Sequence, residues 1–97
     1  MSTVYKALAD PTRRRVLQLL RKREMTAGEL ATEFKFAKPT MTGHFNVLRS
    51  AGLVDSRKQG NVVIYRLNTS VLQEALLELM DSFGFLKSTP VKAKARA

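Results

Sequence analysis

The chain contains no cysteine and no tryptophan. Without cysteine there are no disulfides, no thiolate metal sites and no thiol redox sensing, and the absence fits a reducing compartment. Long hydrophobic runs are missing as well. The longest clean apolar stretch is Val62-Val63-Ile64-Tyr65, far short of the ~18 residues that a membrane-crossing helix needs. No apolar leader follows Met1-Ser2-Thr3-Val4-Tyr5, so the expected location is cytoplasmic. Histidine occurs once, at His44, with no nucleophile paired to it. The acids Glu24, Glu29, Glu33 and Asp55 are scattered, and no glycine-rich phosphate loop occurs. The chain is therefore not expected to be an enzyme, to carry a cofactor or to hold a metal ion.

What the sequence does have is positive charge. Seventeen lysines and arginines face eight acids, a net charge of +9 on 97 residues with a pI near 10.5. A domain this basic gathers polyanions at its surface. The charge is also unevenly spread: Thr12 to Lys58 holds eleven cations and four anions, whereas Thr69 to Leu86 holds no cation and three anions, Glu74, Glu78 and Asp81. One part of the chain is built to meet negative charge and another is not.

Periodicity divides residues 1–86 into one small domain, with a basic, aperiodic tail at 87–97 expected to be disordered. A short amphipathic helix is predicted over Thr3–Ala9. Asp10-Pro11 then opens a second helix to about Arg23, Asp as N-cap and Pro in the first turn. Thr26 and Glu29 have capping-box spacing and start a third helix carrying Leu30, Ala31 and Phe34. Pro39 opens a fourth helix, with Met41, Phe45 and Leu48 on one face and Gly52 as its stop. The period then changes to two over Leu53–Lys58 and Asn61–Leu67, a β-hairpin. Asn68 caps a last helix whose apolar positions run from Val71 and Leu72 through Phe83 to Leu86. The order is four helices, a hairpin and a helix: mostly α with a small β-hairpin, a winged helix-turn-helix.

The fourth helix carries the functional expectation. An element that enters the major groove must show small hydrogen-bonding side chains outward. With Met41, Phe45 and Leu48 turned in, the expected outward set is Lys38, Thr40, Thr42, Gly43, His44, Asn46 and Arg49. Arg57, Lys58, Gln59 and Asn61 stand at the hairpin tip, placed for phosphates or a minor groove. Arg13-Arg14-Arg15 has two readings, a DNA clamp or a solvated helix face with Arg13 paired to an acid such as Asp10; the second is the commoner outcome. The apolar stripe of the last helix is wider than one core contact requires. Together with Val4, Tyr5 and Leu8, the residues Leu72, Leu76, Leu79, Met80 and Phe83 are expected to form a subunit interface.

Tyr5-Lys6-Ala7-Leu8-Ala9-Asp10-Pro11-Thr12-Arg13-Arg14, Met25 to Ala31, Lys38 to Leu48 and Ala51-Gly52-Leu53-Val54 resemble the ArsR family of bacterial repressors, with the metal-independent, SdpR-type autorepressor branch nearest. The likeness spans about residues 4–86 in unbroken order. It implies a homodimer joined by first and last helices, with double-stranded DNA bound as an inverted repeat and wings on the flanks. Ala37 and Gly43 depart from the family, whose members often carry a capping Ser and a longer base reader there. Metal-sensing members need cysteines or His and Asp pairs that this chain lacks. The regulatory signal stays open between a partner protein, a small molecule and none. Two other functions remain beside the repressor: a protein-interaction module with a basic face, and a sequence-blind DNA-binding protein.

Overall fold

The computed structural model describes residues 2–86; the expected basic tail lies outside the described residues. Five helices and three strands follow in the order α1 (Ser2–Leu8), α2 (Pro11–Lys22), β1 (Met25–Thr26), α3 (Ala27–Thr32), α4 (Lys38–Ser50), β2 (Val54–Gln59), β3 (Val62–Leu67) and α5 (Thr69–Ser82).

Local chemistry explains most of these boundaries. The Asp10 carboxylate accepts from the Arg13 backbone N–H at 3.0 Å, so α2 starts there, with Pro11 in its first turn. That bond holds the Asp10 carboxyl below its ordinary value of 3.8, with His44 and Arg13 adding smaller attractions. Thr26 and Glu29 close a reciprocal capping box, 3.0 Å from Glu29 N–H to Thr26 Oγ1 and 2.9 Å from Thr26 N–H to Glu29 Oε1. Asn68 caps α5 by accepting from Val71 N–H.

Helices α4 and α5 stop in the same way. Gly52 adopts φ +78°; its N–H donates to Arg49 O, and Leu53 N–H reaches back to Leu48 O. At the end of α5, Gly84 (φ +84°) donates to Asp81 O and Phe85 N–H to Met80 O. Both are Schellman motifs, which need a residue free to enter the left-handed region. The first is reinforced by apolar contact, since Leu48 and Leu53 are both wholly buried. The second was not expected, because the apolar pattern runs on through Phe83 and Leu86. The helix nevertheless ends at Ser82, and Phe83 is its C-cap.

The hairpin of β2 and β3 pairs Val54 with Leu67 through Gln59 with Val62, leaving Gly60-Asn61 as a two-residue turn. A third strand joins it on the other edge of β3: β1 pairs Met25 with Tyr65 and Thr26 with Ile64. This strand is absent from the sequence reading because two residues are too few to show alternation.

The core gathers side chains from every helix and from the sheet. Leu30, Met41, Leu48, Leu53, Val16 and Val54 are its largest fully buried members, with Leu17, Leu20, Met25, Phe45, Tyr65 and Ala75 around them. Val4 also lies inside this core. It was expected at a subunit interface, but one turn of α1 buries Val4 and Ala7 while Tyr5 and Leu8 keep partial exposure.

Three stability measurements check this account. An Ala in place of Gly52 enters the left-handed region at a cost of about 1–2 kcal/mol. Gly43→Ala lies in mid-helix with nothing within 4 Å of the added carbon, and should raise stability by about 1 kcal/mol. Asp10→Ala should cost about 1 kcal/mol at neutral pH through the lost cap. Because the folded carboxyl titrates below its unfolded value of 3.8, that deficit is full above this value and shrinks as acid protonates the folded group. Urea titrations at neutral and acid pH read all three.

Candidate nucleic-acid interface

Helix α4 is fixed from behind. Met41, Phe45 and Leu48 are buried at successive helical turns, and the Phe45 ring lies 4.9 Å from that of Tyr65 on β3. Burial pushes the Tyr65 hydroxyl above its ordinary value, and the Arg49 charge opposes this.

The expected reading residues are not all on one face. Lys38, Thr40, Thr42, Gly43, Asn46 and Arg49 are exposed. Lys38 and Thr42 line a shallow groove against Ala27, Gly28 and Ala31 of α3, whereas Asn46 lines another with Thr3 and Lys6 of α1. Val47 and Ser50, absent from the expected set, share that second groove and are exposed too. Helical spacing alone could have found them, since both lie on the side opposite Met41 and Phe45. Ala37, the N-cap of α4, supplies no side-chain hydrogen bond to the first turn, where Lys38 stands.

His44 is the correction. Expected to point outward, its side chain is only 16% exposed and turns back toward the junction of α1 and α2. Arg13 Nη1 lies 3.3 Å from His44 Nδ1, Asp10 Oδ2 3.9 Å from the same atom, and the Phe36 ring meets the imidazole edge-on at 6.3 Å. The position is on the flank of α4, where the neighbours decide which way a ring turns, and here they offer a donor, a carboxylate and an aromatic edge.

The arginine run divides by the same logic. Arg13 donates to Ala7 O and Lys6 O, and Arg14 donates to Leu8 O. Both guanidinium groups therefore satisfy the last carbonyls of α1. Arg14 and Arg15 lie on an exposed face, Arg15 bonded to Gln18 at 3.5 Å, while Arg13 is half-buried and meets Asp10 through its backbone N–H.

At the hairpin tip Arg57, Lys58, Gln59 and Asn61 are all exposed. Arg57 forms an ion pair with Glu24 at 2.9 Å, and Arg66 with Asp55 at 3.0 Å across the hairpin. Lys58 makes no ion pair among the described residues. Among these residues no group of three or more His, Cys, Asp or Glu is placed to hold a metal ion, and no helix is long and apolar enough to cross a membrane.

Most of the large apolar side chains left in solvent belong to α5 and the turn that follows it. Leu76, Leu77, Met80, Phe83, Phe85 and Leu86 are all at least 42% exposed. Leu72 and Leu79 are half-buried beside them, and Leu8 and Leu72 line an apolar groove of about 320 Å³ with Leu17, Leu67 and Leu76. Tyr5 ties α1 to α5 through its hydroxyl, which donates to Ala75 O at 3.3 Å.

Two helices in a turn, the second solvent-facing and followed by a basic hairpin, define a winged helix-turn-helix DNA-binding protein. Residues 8–57 match a family profile described as a helix-turn-helix domain. The transcriptional repressor SdpR of Bacillus subtilis is 42% identical over 76 residues, 78% of this chain and 84% of the repressor. A crystal structure of an ArsR family transcriptional regulator superposes with a TM-score of 0.80 at 31% identity, covering 91% of each chain. The solution structure of a homodimeric winged helix-turn-helix DNA-binding domain from Mycobacterium bovis does so with a TM-score of 0.70 at 27% identity, covering 95% of this chain and 86% of that one. The chain belongs to the ArsR family of winged helix-turn-helix transcriptional repressors, and it is a DNA-binding regulator rather than an enzyme.

Proposed function

We propose that this chain is a homodimeric, autoregulatory repressor that binds an inverted-repeat operator in the cytoplasm and answers to no metal. The observation that carries the reading is the two-faced build of α4. Its back is locked in the core, while Thr40, Thr42, Gly43 and Asn46 stand in solvent, with Val47 the exposed apolar residue of the helix beside them. Threonine and asparagine can read base edges, Lys38 and the uncapped first turn suit a phosphate, and Lys58 and Gln59 extend the reach along the duplex. Gly43, with open space around it, lets the groove wall approach the helix backbone.

Dimerisation is supported by the apolar surface at the end of α5, which a soluble monomer rarely leaves open. Tyr5 and Leu8 of α1, with Leu72, Leu76, Leu79, Met80 and Phe83, make up the proposed contact; Val4 leaves it, being core. The homodimeric relative from Mycobacterium bovis and the self-complementary geometry of two-fold interfaces favour the same arrangement. Two reading helices then meet successive major grooves about 34 Å apart. The absence of metal sensing rests on the sequence, which has no cysteine and whose one histidine is already engaged by Arg13 and Asp10.

Selection of bound DNA from a random pool tests the operator: an inverted repeat is expected, and a pool that stays random would reject the reading. Thr42→Ala should relax preference at one position of each half-site. Lys58→Ala should weaken all sequences alike and lower the salt slope by about 0.9 per lost phosphate contact. Met80→Glu, at an exposed position, should leave a folded monomer by sedimentation. An equally monomeric wild type would remove the dimer.

A further inference from the structure

We propose that Arg13 is a positioning residue that sets the pose of α4 on α1, and through it the distance between the two reading helices. The inference rests on the dimeric operator-binding reading above. Its guanidinium spends three donors on three acceptors of two elements: Nε to Ala7 O at 2.8 Å, Nη2 to Lys6 O at 3.1 Å, and Nη1 to His44 Nδ1 at 3.3 Å. Its own backbone N–H is held by Asp10 at 3.0 Å. The first two acceptors end α1, and the third lies on α4.

The chemistry of the pair fixes its direction. A guanidinium stays protonated and only donates, so His44 Nδ1 accepts and the ring carries its hydrogen on Nε2. Asp10 Oδ2 stands 3.9 Å from Nδ1, and Phe36, on the segment entering α4, meets the ring edge-on. The imidazole is thus held on three sides. On the far side of α1, Tyr5 bonds Ala75 O of α5. A continuous path runs from α5 through α1, Arg13 and His44 to the reading helix, so a subunit contact made by α1 and α5 fixes where α4 stands. Lysine cannot replace Arg13, because a point charge has no planar fork to span three acceptors.

The test compares wild type with Arg13→Lys, His44→Phe and His44→Gln on the selected repeat, with and without two extra base pairs between half-sites. Wild type should lose affinity on the order of tenfold on the lengthened repeat, and Arg13→Lys and His44→Phe less than about threefold, a difference within the net contribution of one ordinary hydrogen bond. His44→Gln keeps an acceptor and should discriminate like wild type. Variants that all retain the wild-type penalty, or a Phe that outperforms Gln as a space-filler would, overturn the proposal. Nitrogen-15 spectra of the free protein give a second readout that needs no DNA. Wild-type His44 should be the Nε2-protonated tautomer, and Arg13→Lys should give a mixture. A wild-type ring protonated on Nδ1 overturns the proposal outright. If wild type selects no repeat, the operator reading falls while the ring spectrum still decides the role of Arg13.

Discussion

A helix that reads DNA must be held rigid by one side alone, because its other side has to remain bare. In this protein the holding is done by Met41, Phe45 and Leu48, and the rest of the molecule is arranged around their burial. Leu53 follows α4 into the core through the Gly52 turn, so the strand that begins the wing is anchored by the same cluster. Phe45 against Tyr65 joins helix to sheet by an aromatic contact of a kind worth about 0.5–1.5 kcal/mol beyond its buried area. Tyr65 in turn pairs with Met25 in β1, so the short third strand braces the wing against the turn that leads into α3. Helix and wing are consequently one rigid piece.

The positive charge that first suggests a polyanion partner is only partly spent on one. Seven-residue α1 is shorter than the ~12–15 residues a helix needs to persist alone in water. Its last carbonyls are met by Arg13 and Arg14, whose charge favours that end of the helix dipole. Two arginines of a three-arginine run therefore bond the carbonyls of α1, and the other exposed cations are spread over Lys6 on α1, α2, Arg23 and Lys35 in the segments flanking α3, the start and flank of α4, and the wing. Composition overstates the DNA-facing charge for this reason.

The parts of the fold written in short-range signals were legible. The capping box at Thr26, the Asp10-Pro11 start, the Gly52 stop and the inward triplet of α4 each depend on residues within one or two turns. What was not legible depends on distance or brevity. The orientation of His44 is decided by Arg13, thirty-one positions away, and nothing in the local pattern separates it from its outward neighbours. Strand β1 is two residues long and exists because Tyr65 and Ile64 arrive beside it. Val4 and Leu8 look alike on a helical wheel, yet only the packing of α1 on the core sends Val4 inside. The end of α5 was overrun because apolar residues continue past a glycine that turns the chain.

The ion pair between Arg57 and Glu24 sits at the surface, where such contacts contribute roughly 0–1 kcal/mol. A phosphate arriving at the wing competes with Glu24 for the same guanidinium. The exchange swaps one anion for another, and the released carboxylate then recruits a cation from solution. Counterions set free from the duplex are thereby partly recaptured, which mutes the ionic-strength response at this one arginine relative to an unpaired lysine.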